Sequence, residues 1–300
     1  MVSRLESAVA LDWLLEFAAE YADHDPGITT IQLAKQVVLP RTKIQACSYA
    51  DLIADTKKVS KATYVVSHSS SCEFRYITDA LRSFFHDVDP TSVFIWLDLV
   101  SLNLHIARDA TNEDLEAVEK LVAGAAGGTL LVLDPKASAI SRTWPMFEVW
   151  ATLQHRGVAG LHVLTPGFSL REAGAVFAVC DVRQTGARRA PDRSKMLERI
   201  SGHAGVGQRD FNMDLRLLYT LWPIVDGRKL RHRLLETWHF GSAMTRCMHR
   251  WMDAYIDWLN ISSSHPGYRA FVFVGPPGSA KSTVVAGLAT LPAGARHRHA

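Results

Sequence analysis

The segment Gly275-Pro-Pro-Gly-Ser-Ala-Lys-Ser282 holds the residue types and spacing best suited to grip a polyphosphate. An apolar, β-prone run, Phe271-Val-Phe-Val274, precedes it, and a helical pattern starts at Thr283. Strand, glycine-bearing loop, Lys-Ser and helix are the parts of a phosphate-binding P-loop (Walker A). In such a loop successive backbone N–H groups and the helix N-terminus point at phosphate oxygens. The spacing therefore assigns nucleotide contacts to Gly275, Gly278, Ser279, Ala280, Lys281, Ser282 and Thr283. In a complete domain Lys281 would reach the β- and γ-phosphates of ATP or GTP, and the Ser282 hydroxyl would ligate Mg2+. Ala280 stands where glycine is usual and adds one methyl group. A chance Gly/Pro turn between a strand and a helix is the competing reading. Only 18 residues follow Ser282, too few for the acid-bearing strand and water-positioning group of a working hydrolase. The expectation is a fragment that ends at the start of a nucleotide-binding domain.

Those motifs need elements to position them, and composition bounds what elements there are. Three hundred residues suit about two domains of ordinary size. An apolar fraction of 48% with 21% charged residues fits a globular chain able to bury real cores. No apolar run approaches the roughly 18 residues of a membrane span, so no membrane association is expected. Residues 1–25 carry Glu6, Asp12, Glu16 and Glu20 among Leu5, Val9, Leu11, Leu14 and Leu15, which reads as an amphipathic helix and not a targeting peptide. The four cysteines, Cys47, Cys72, Cys180 and Cys247, are widely spaced, and a reducing cytoplasm is the default. A net charge of +3 is too small to argue for nucleic acid. The basic clusters at Arg183–Arg199 and Arg228–Arg250 read as solvated helix faces, suited at most to an acidic partner surface.

A short helix is expected from Thr29 to Val38, stopped by Pro40, and another from Tyr49 to Thr56. A regular alternation follows: strands at Thr63–Ser67, Ser92–Asp98, Gly128–Asp134 and Gly160–Leu164, and a weaker fifth at Ala175–Val182. Helices between them are expected at Glu73–Phe85, Asn112–Ala123 and Ser141–Gln154. Continuous apolar strands separated by helices signal a parallel sheet covered on both faces, and right-handed crossovers make it doubly wound. The fold class is thus α/β, a flavodoxin-like sheet of order 2-1-3-4-5 with its ligand crevice at the carboxyl ends of strands 1 and 3. Those ends are Ser67-His68-Ser-Ser-Ser71 and Asp134-Pro-Lys136, with Trp144 and Glu148 on the helix that follows. Helical patterns return at Asp192–Ile200, Asn212–Trp222 and Met244–Leu259. The division expected is a helical extension over 1–60, an α/β domain over 61–182, a helical extension and linker over 183–264, and the P-loop segment over 265–300.

Three motifs in that order carry a resemblance: Val66-Ser-His68; Trp96-x-Asp98 with Asn103-x-His105; and Arg142-x-Trp144-x-x-x-Glu148. Together they resemble a Toll/interleukin-1 receptor (TIR) domain, and more closely a TIR-like module found in large multidomain proteins of protists and algae. The resemblance covers about 29–222. Ser69-Ser70 replaces an Ala-Trp pair of that pattern, and Pro145 replaces a cysteine. The Pro-Pro-Gly-x-Ala-Lys-Ser form of the phosphate loop resembles loops of some AAA-type ATPases. The stretch from Met244 onward resembles the entry into a STAND-type, NACHT-like signalling NTPase.

The resemblance implies a signalling protein in which a TIR-like effector is coupled to a nucleotide-binding switch and self-associates through the TIR-like domain. It also implies NAD+ as a substrate, with Glu148 as the carboxylate that supports cleavage, His68, Ser69 and Ser70 against ribose or phosphate, and Trp144 as a stacking face. A non-enzymatic protein–protein scaffold and a simple P-loop nucleoside triphosphate hydrolase remain the alternatives. Residue by residue, a bland reading stands beside each role. Glu148 could sit on a solvated helix face, Asp98 could cap the element after its strand, and Trp96 could be core. Asn103 and His105 read as loop braces, and His297 and His299 as part of a terminal tail rather than metal ligands.

Overall fold

The computed structural model describes residues 7–22, 24–106, 109–167 and 180–202, together with 208, 211, 212 and 215. The P-loop segment, the helical patterns beyond 216 and most of the proposed fifth strand (175–182) lie outside the described residues. The chain divides into two units, residues 1–167 with 185–196, and residues 168–184 with 197–300.

The first unit is built on a six-stranded mixed sheet. Its strands are β1 (Ser7–Ala10), β2 (Val59–Lys61), β3 (Tyr64–Ser67), β4 (Phe94–Leu97), β5 (Gly128–Val132) and β6 (Leu161–Leu164), in the order β2-β1-β4-β3-β5-β6. β3 pairs in parallel with β4 and β5, and β5 with β6. The four parallel strands therefore follow the expected 2-1-3-4 order. The sheet is not wholly parallel, however: β1 runs antiparallel to both β2 and β4. Residues 7–10 had been assigned to a helix. The stretch Ser-Ala-Val-Ala is short enough to serve either state, and the free edge of β4 recruits it as a strand before helix α1 (Leu11–Tyr21) begins.

Eight further helices lie among the described residues: α2 (Thr30–Leu33), α3 (Leu39–Thr42), α4 (Tyr49–Leu52), α5 (Phe74–Phe84), α6 (Asp98–Ser101), α7 (Asn112–Gly124), α8 (Thr143–Arg156) and α9 (Ala190–Gly202). Pro40 does not stop the helical run that begins at Thr30. A π-helical turn at Ala34–Val38 carries the chain into α3, where Pro40 sits in the first turn and its missing N–H is harmless. The Thr42 hydroxyl donates to the Val38 carbonyl at 2.8 Å, adding a side-chain hydrogen bond across this turn.

Side-chain alternation along the strands sorts the two faces. Val66, Ile95, Leu97, Leu130 and Val132 join one core cluster with Leu14 and Phe17 of α1 and Phe74, Ile77 and Leu81 of α5. The opposite face carries Ser67 and Thr129, and there the Thr152 hydroxyl of α8 donates to Thr129 Oγ1 at 2.7 Å. Helices thus cover both faces, as continuous apolar strands require. Gly128, with φ near +88°, begins β5 so close to the neighbouring connection that a Cβ there would lie 2.0 Å from the Gly160 carbonyl oxygen.

In the second unit, Asp181 accepts from Nε and Nη2 of Arg183 and from the amide nitrogen of Asn212, whose own oxygen takes the Val182 N–H. The Arg183 hydrogen bonds hold the Asp181 carboxyl down at about 2. Residues 182–184 form a 3-10 turn, so the last part of the proposed fifth strand is not extended.

Candidate functional site

Period-two alternation puts Ser67, the last residue of β3, on the α8 side of the sheet. Glu148 lies one helical turn before Thr152, so both face the strands. The two meet: Ser67 Oγ donates to Glu148 Oε2 at 2.5 Å. The solvated-face reading of Glu148 is thereby overturned, since the residue is only 8% exposed. Burial pushes its carboxyl up to about 8, with the Ser67 hydrogen bond pulling down and the nearby charge of Asp98 pushing up. Glu148 is therefore largely protonated at neutral pH.

Around this pair lies a cavity of about 450 Å3, within the size range of small-molecule sites. It brings together the cleft residues anticipated from sequence, His68, Ser69, Ser70, Trp144 and Glu148, which are separated by up to 80 positions in the chain. It sits at the carboxyl ends of β3 and β4, one strand over from the β3/β5 switch point at which the 2-1-3-4 order places the expected crevice.

The strand-end loop is fixed from outside. Thr30 Oγ1 donates to the Ser70 carbonyl at 2.9 Å, Ile31 N–H bonds the same carbonyl, and Thr30 N–H bonds that of Cys72. Ser69 and Ser71 exchange a hydroxyl hydrogen bond at 2.9 Å. His68 is buried, with Nε2 at 3.2 Å from Thr30 Oγ1 and 3.8 Å from Asp98 Oδ1. Its pKa is lowered by burial, against a smaller upward pull from Asp98, so the ring is neutral at pH 7. Trp144 is half-buried on the cavity wall, with its ring edge-on to Phe147.

Several expectations change. Asp134 does not line the cavity; its carboxylate takes the Ser138 N–H at 2.6 Å and the Ser138 hydroxyl at 2.9 Å, closing its own loop through Ala137 in the left-handed region. Asp98 opens α6 but leaves its side chain half-exposed on the cavity wall. Trp96 is core, as expected, and also lines the cavity; its indole N–H has no acceptor among the described residues. Asn103 and His105 are braces: Asn103 Nδ2 donates to the Ala46 carbonyl at 2.6 Å, and His105 Nε2 lies 2.8 Å from Thr42 Oγ1.

Sequence reasoning missed the segment that closes the cavity on a further side. Gly186 N–H bonds the Ser141 carbonyl at 2.8 Å, Thr143 N–H bonds the Gly186 carbonyl at 2.9 Å, and the Thr143 and Thr185 hydroxyls meet at 2.9 Å. The start of α9 is tied down as well, through Asp192 to the Ala110 N–H and Lys195 to the Ala110 carbonyl. This brings Arg188, Arg189 and Asp192 to the cavity wall. The cluster Arg183–Arg199 is therefore not simply a solvated face: Arg193 donates to the Thr185 carbonyl at 2.7 Å, and Arg189 pairs with Asp109 at 3.1 Å. Basic residues alternating with small ones gave no periodic signal for such a roof.

Among the described residues no three His, Cys, Asp or Glu side chains gather as a metal site, and no helix is long and apolar enough to cross a membrane. Gly275, Gly278, Ser279, Ala280, Lys281, Ser282 and Thr283 lie outside the described residues. No family model, curated protein or solved structure matches the chain.

Proposed function

We propose that the cavity is a nucleotide-cleaving site of TIR-like type, in which Glu148 supports hydrolysis of the bond between nicotinamide and ribose of NAD+. The observation that carries this reading is the buried Ser67–Glu148 pair at the strand ends, whose Glu148 lines a cavity of about 450 Å3. Cleavage breaks the ribose C1′–N bond, and the electron pair leaves with nicotinamide. The ribosyl cation that develops is stabilised by an adjacent carboxylate, the logic that serves glycoside hydrolysis. Water then adds to C1′ and its proton passes to solvent. Ser67 would orient the carboxylate, the His68–Ser70 loop would receive the ribose hydroxyls, and the half-buried Trp144 ring would offer a stacking surface. The doubly wound sheet would be the TIR-like, flavodoxin-like effector of a cytoplasmic signalling protein. A STAND-type module carrying Lys281 and Ser282 would bind ATP or GTP with Mg2+ and gate self-association of that effector.

Because the ionised form of Glu148 is the useful one, kcat/KM is expected to climb as pH rises toward about 8. The test is nicotinamide release from NAD+, followed by proton NMR at high protein concentration. Wild type should release it and Glu148→Gln should not; no release from wild type, or equal release from both, defeats the proposal. A binding scaffold without chemistry is the second reading, favoured by one feature: a neutral acid hydrogen-bonded to a strand serine is also a stable structural pair.

A further inference from the structure

We propose that one wall of this cavity is a subsite for a diphosphate group, formed by Arg142 and Arg188. Arg142 immediately precedes α8 and Arg188 lies in the segment ahead of α9, and both line the cavity. The two are held together by backbone: residues 142 and 186 form an isolated parallel bridge, bounded by the hydrogen bonds that join Ser141, Thr143 and Gly186. Neither guanidinium has a hydrogen-bond or ion-pair partner among the described residues, whereas the neighbouring Arg189 is paired with Asp109 and Arg193 with the Thr185 carbonyl. Like-charged groups repel, and of the carboxylates on the cavity wall Asp192 is engaged by the Ala110 N–H and none is paired with either guanidinium, so two cations fixed at one cavity are suited to an anion.

Two further features point the same way. Helix α8 has no side-chain cap at its N-terminus, so its dipole adds positive potential beside Arg142, although the Thr143 N–H is taken by the Gly186 carbonyl and Pro145 has none to offer. Trp96, 2% exposed, is a lining residue of the cavity, and its indole N–H lacks an acceptor among the described residues; a buried donor of this kind is costly unless a ligand supplies one. Guanidinium forks match tetrahedral phosphate oxygens with paired hydrogen bonds. A diphosphate gives each arginine its own phosphate, while the wall with His68, Ser69 and Glu148 carries no arginine or lysine and is suited to neutral hydroxyls. The cavity thus sorts a ligand into an anionic part and a ribose-like part.

The inference rests on the proposed function only in placing a nucleotide in this cleft; it requires binding, not cleavage. Binding of ADP-ribose and of inorganic pyrophosphate to the full chain is measured by calorimetry. All proteins carry Lys281→Ala, so that the Gly275–Ser282 segment does not compete. Arg142→Gln and Arg188→Gln should each weaken ADP-ribose at least about tenfold, the scale of one charge-assisted hydrogen bond, and nicotinamide riboside, which lacks a diphosphate, should be insensitive to both. Arg82→Gln, on the exposed face of α5, is the charge-matched control and should change nothing. Pyrophosphate binding that shows the same losses assigns the subsite to the diphosphate alone, and losses with ADP-ribose only assign it to the diphosphate of a nucleotide. Equal affinity of the arginine variants and the control, or no binding of either probe, overturns the proposal. A protein that binds ADP-ribose through these arginines yet releases no nicotinamide leaves the subsite standing and removes the cleavage reaction.

Discussion

Replacing Glu148 by glutamine should uncouple the stability of this fold from pH across the neutral range. In the folded state burial raises the Glu148 carboxyl from 4.5 to about 8, while in the unfolded chain it titrates near 4.5. Between those values the folded protein holds a proton that the unfolded chain has released. Stability contributed by this residue therefore falls as pH rises, and levels off only above about 8. The full difference corresponds to roughly 5 kcal/mol, at about 1.4 kcal/mol per pKa unit, and about 2 kcal/mol of it is lost between pH 6 and pH 8. Glutamine keeps the shape and can still accept from Ser67, but it does not titrate. Two other groups bracket the window. His68, lowered by burial, costs stability only as pH falls below the ordinary histidine value. Cys72, pushed up to about 12 mainly by burial, stays a thiol in the folded state and begins to matter only where unfolded thiols ionise, near pH 9. Urea unfolding of wild type and Glu148→Gln from pH 6 to pH 8 therefore isolates the carboxyl. The wild-type curve should drop by about 2 kcal/mol relative to the variant over that range. Parallel curves would mean that Glu148 is solvated or ionised in the native state, and the electrostatic account of the cleft would fail with it.

Three other perturbations probe separate links in the structure. Ser67→Ala removes the hydrogen bond that lowers the Glu148 carboxyl, so the carboxyl midpoint, followed by carbon-13 NMR, should move upward; an unchanged midpoint would show that the pair does not form in solution. Gly128→Ala puts a Cβ 2.0 Å from the Gly160 carbonyl oxygen at a φ of +88°, and should cost at least about 2–3 kcal/mol in urea unfolding, from backbone strain plus the clash. A loss under 1 kcal/mol there would place the β5–β6 junction differently. Thr111→Ala breaks the capping box in which Thr111 and Asp114 serve each other's backbone N–H at the start of α7. About 1 kcal/mol should be lost, with Thr111→Ser recovering most of it.

What the sequence made legible and what it hid follow from the range of the forces involved. β4 and β5 read as strands because Phe94–Leu97 and Gly128–Val132 are continuous apolar runs, and α5 because Phe74, Ile77 and Leu81 recur at helical spacing. Those patterns are local, and burial on both faces leaves little choice of state. β1 was hidden because Ser-Ala-Val-Ala has no local preference strong enough to resist the open edge of β4, a partner more than eighty residues away. Topology then carried the inference further than pattern could. Once β3, β4 and β5 are parallel in the order 2-1-3, the ends of β3 and the helix after β5 must converge, and Ser67 and Glu148 are in hydrogen-bond contact there. The roof over the cavity had no such rule to reveal it. Its position rests on two backbone hydrogen bonds at Gly186, on the Thr143–Thr185 hydroxyl contact and on Asp192 reaching the Ala110 N–H, all of them between segments of irregular sequence. The acid of the cleft was therefore readable from the chain, and its arginines were not. On the proposed reading, a carboxyl held neutral by burial and two guanidiniums without counter-charges are complementary demands on one ligand. Such a ligand would bring its own negative charge to the arginines and present an uncharged, hydroxyl-bearing part to Glu148.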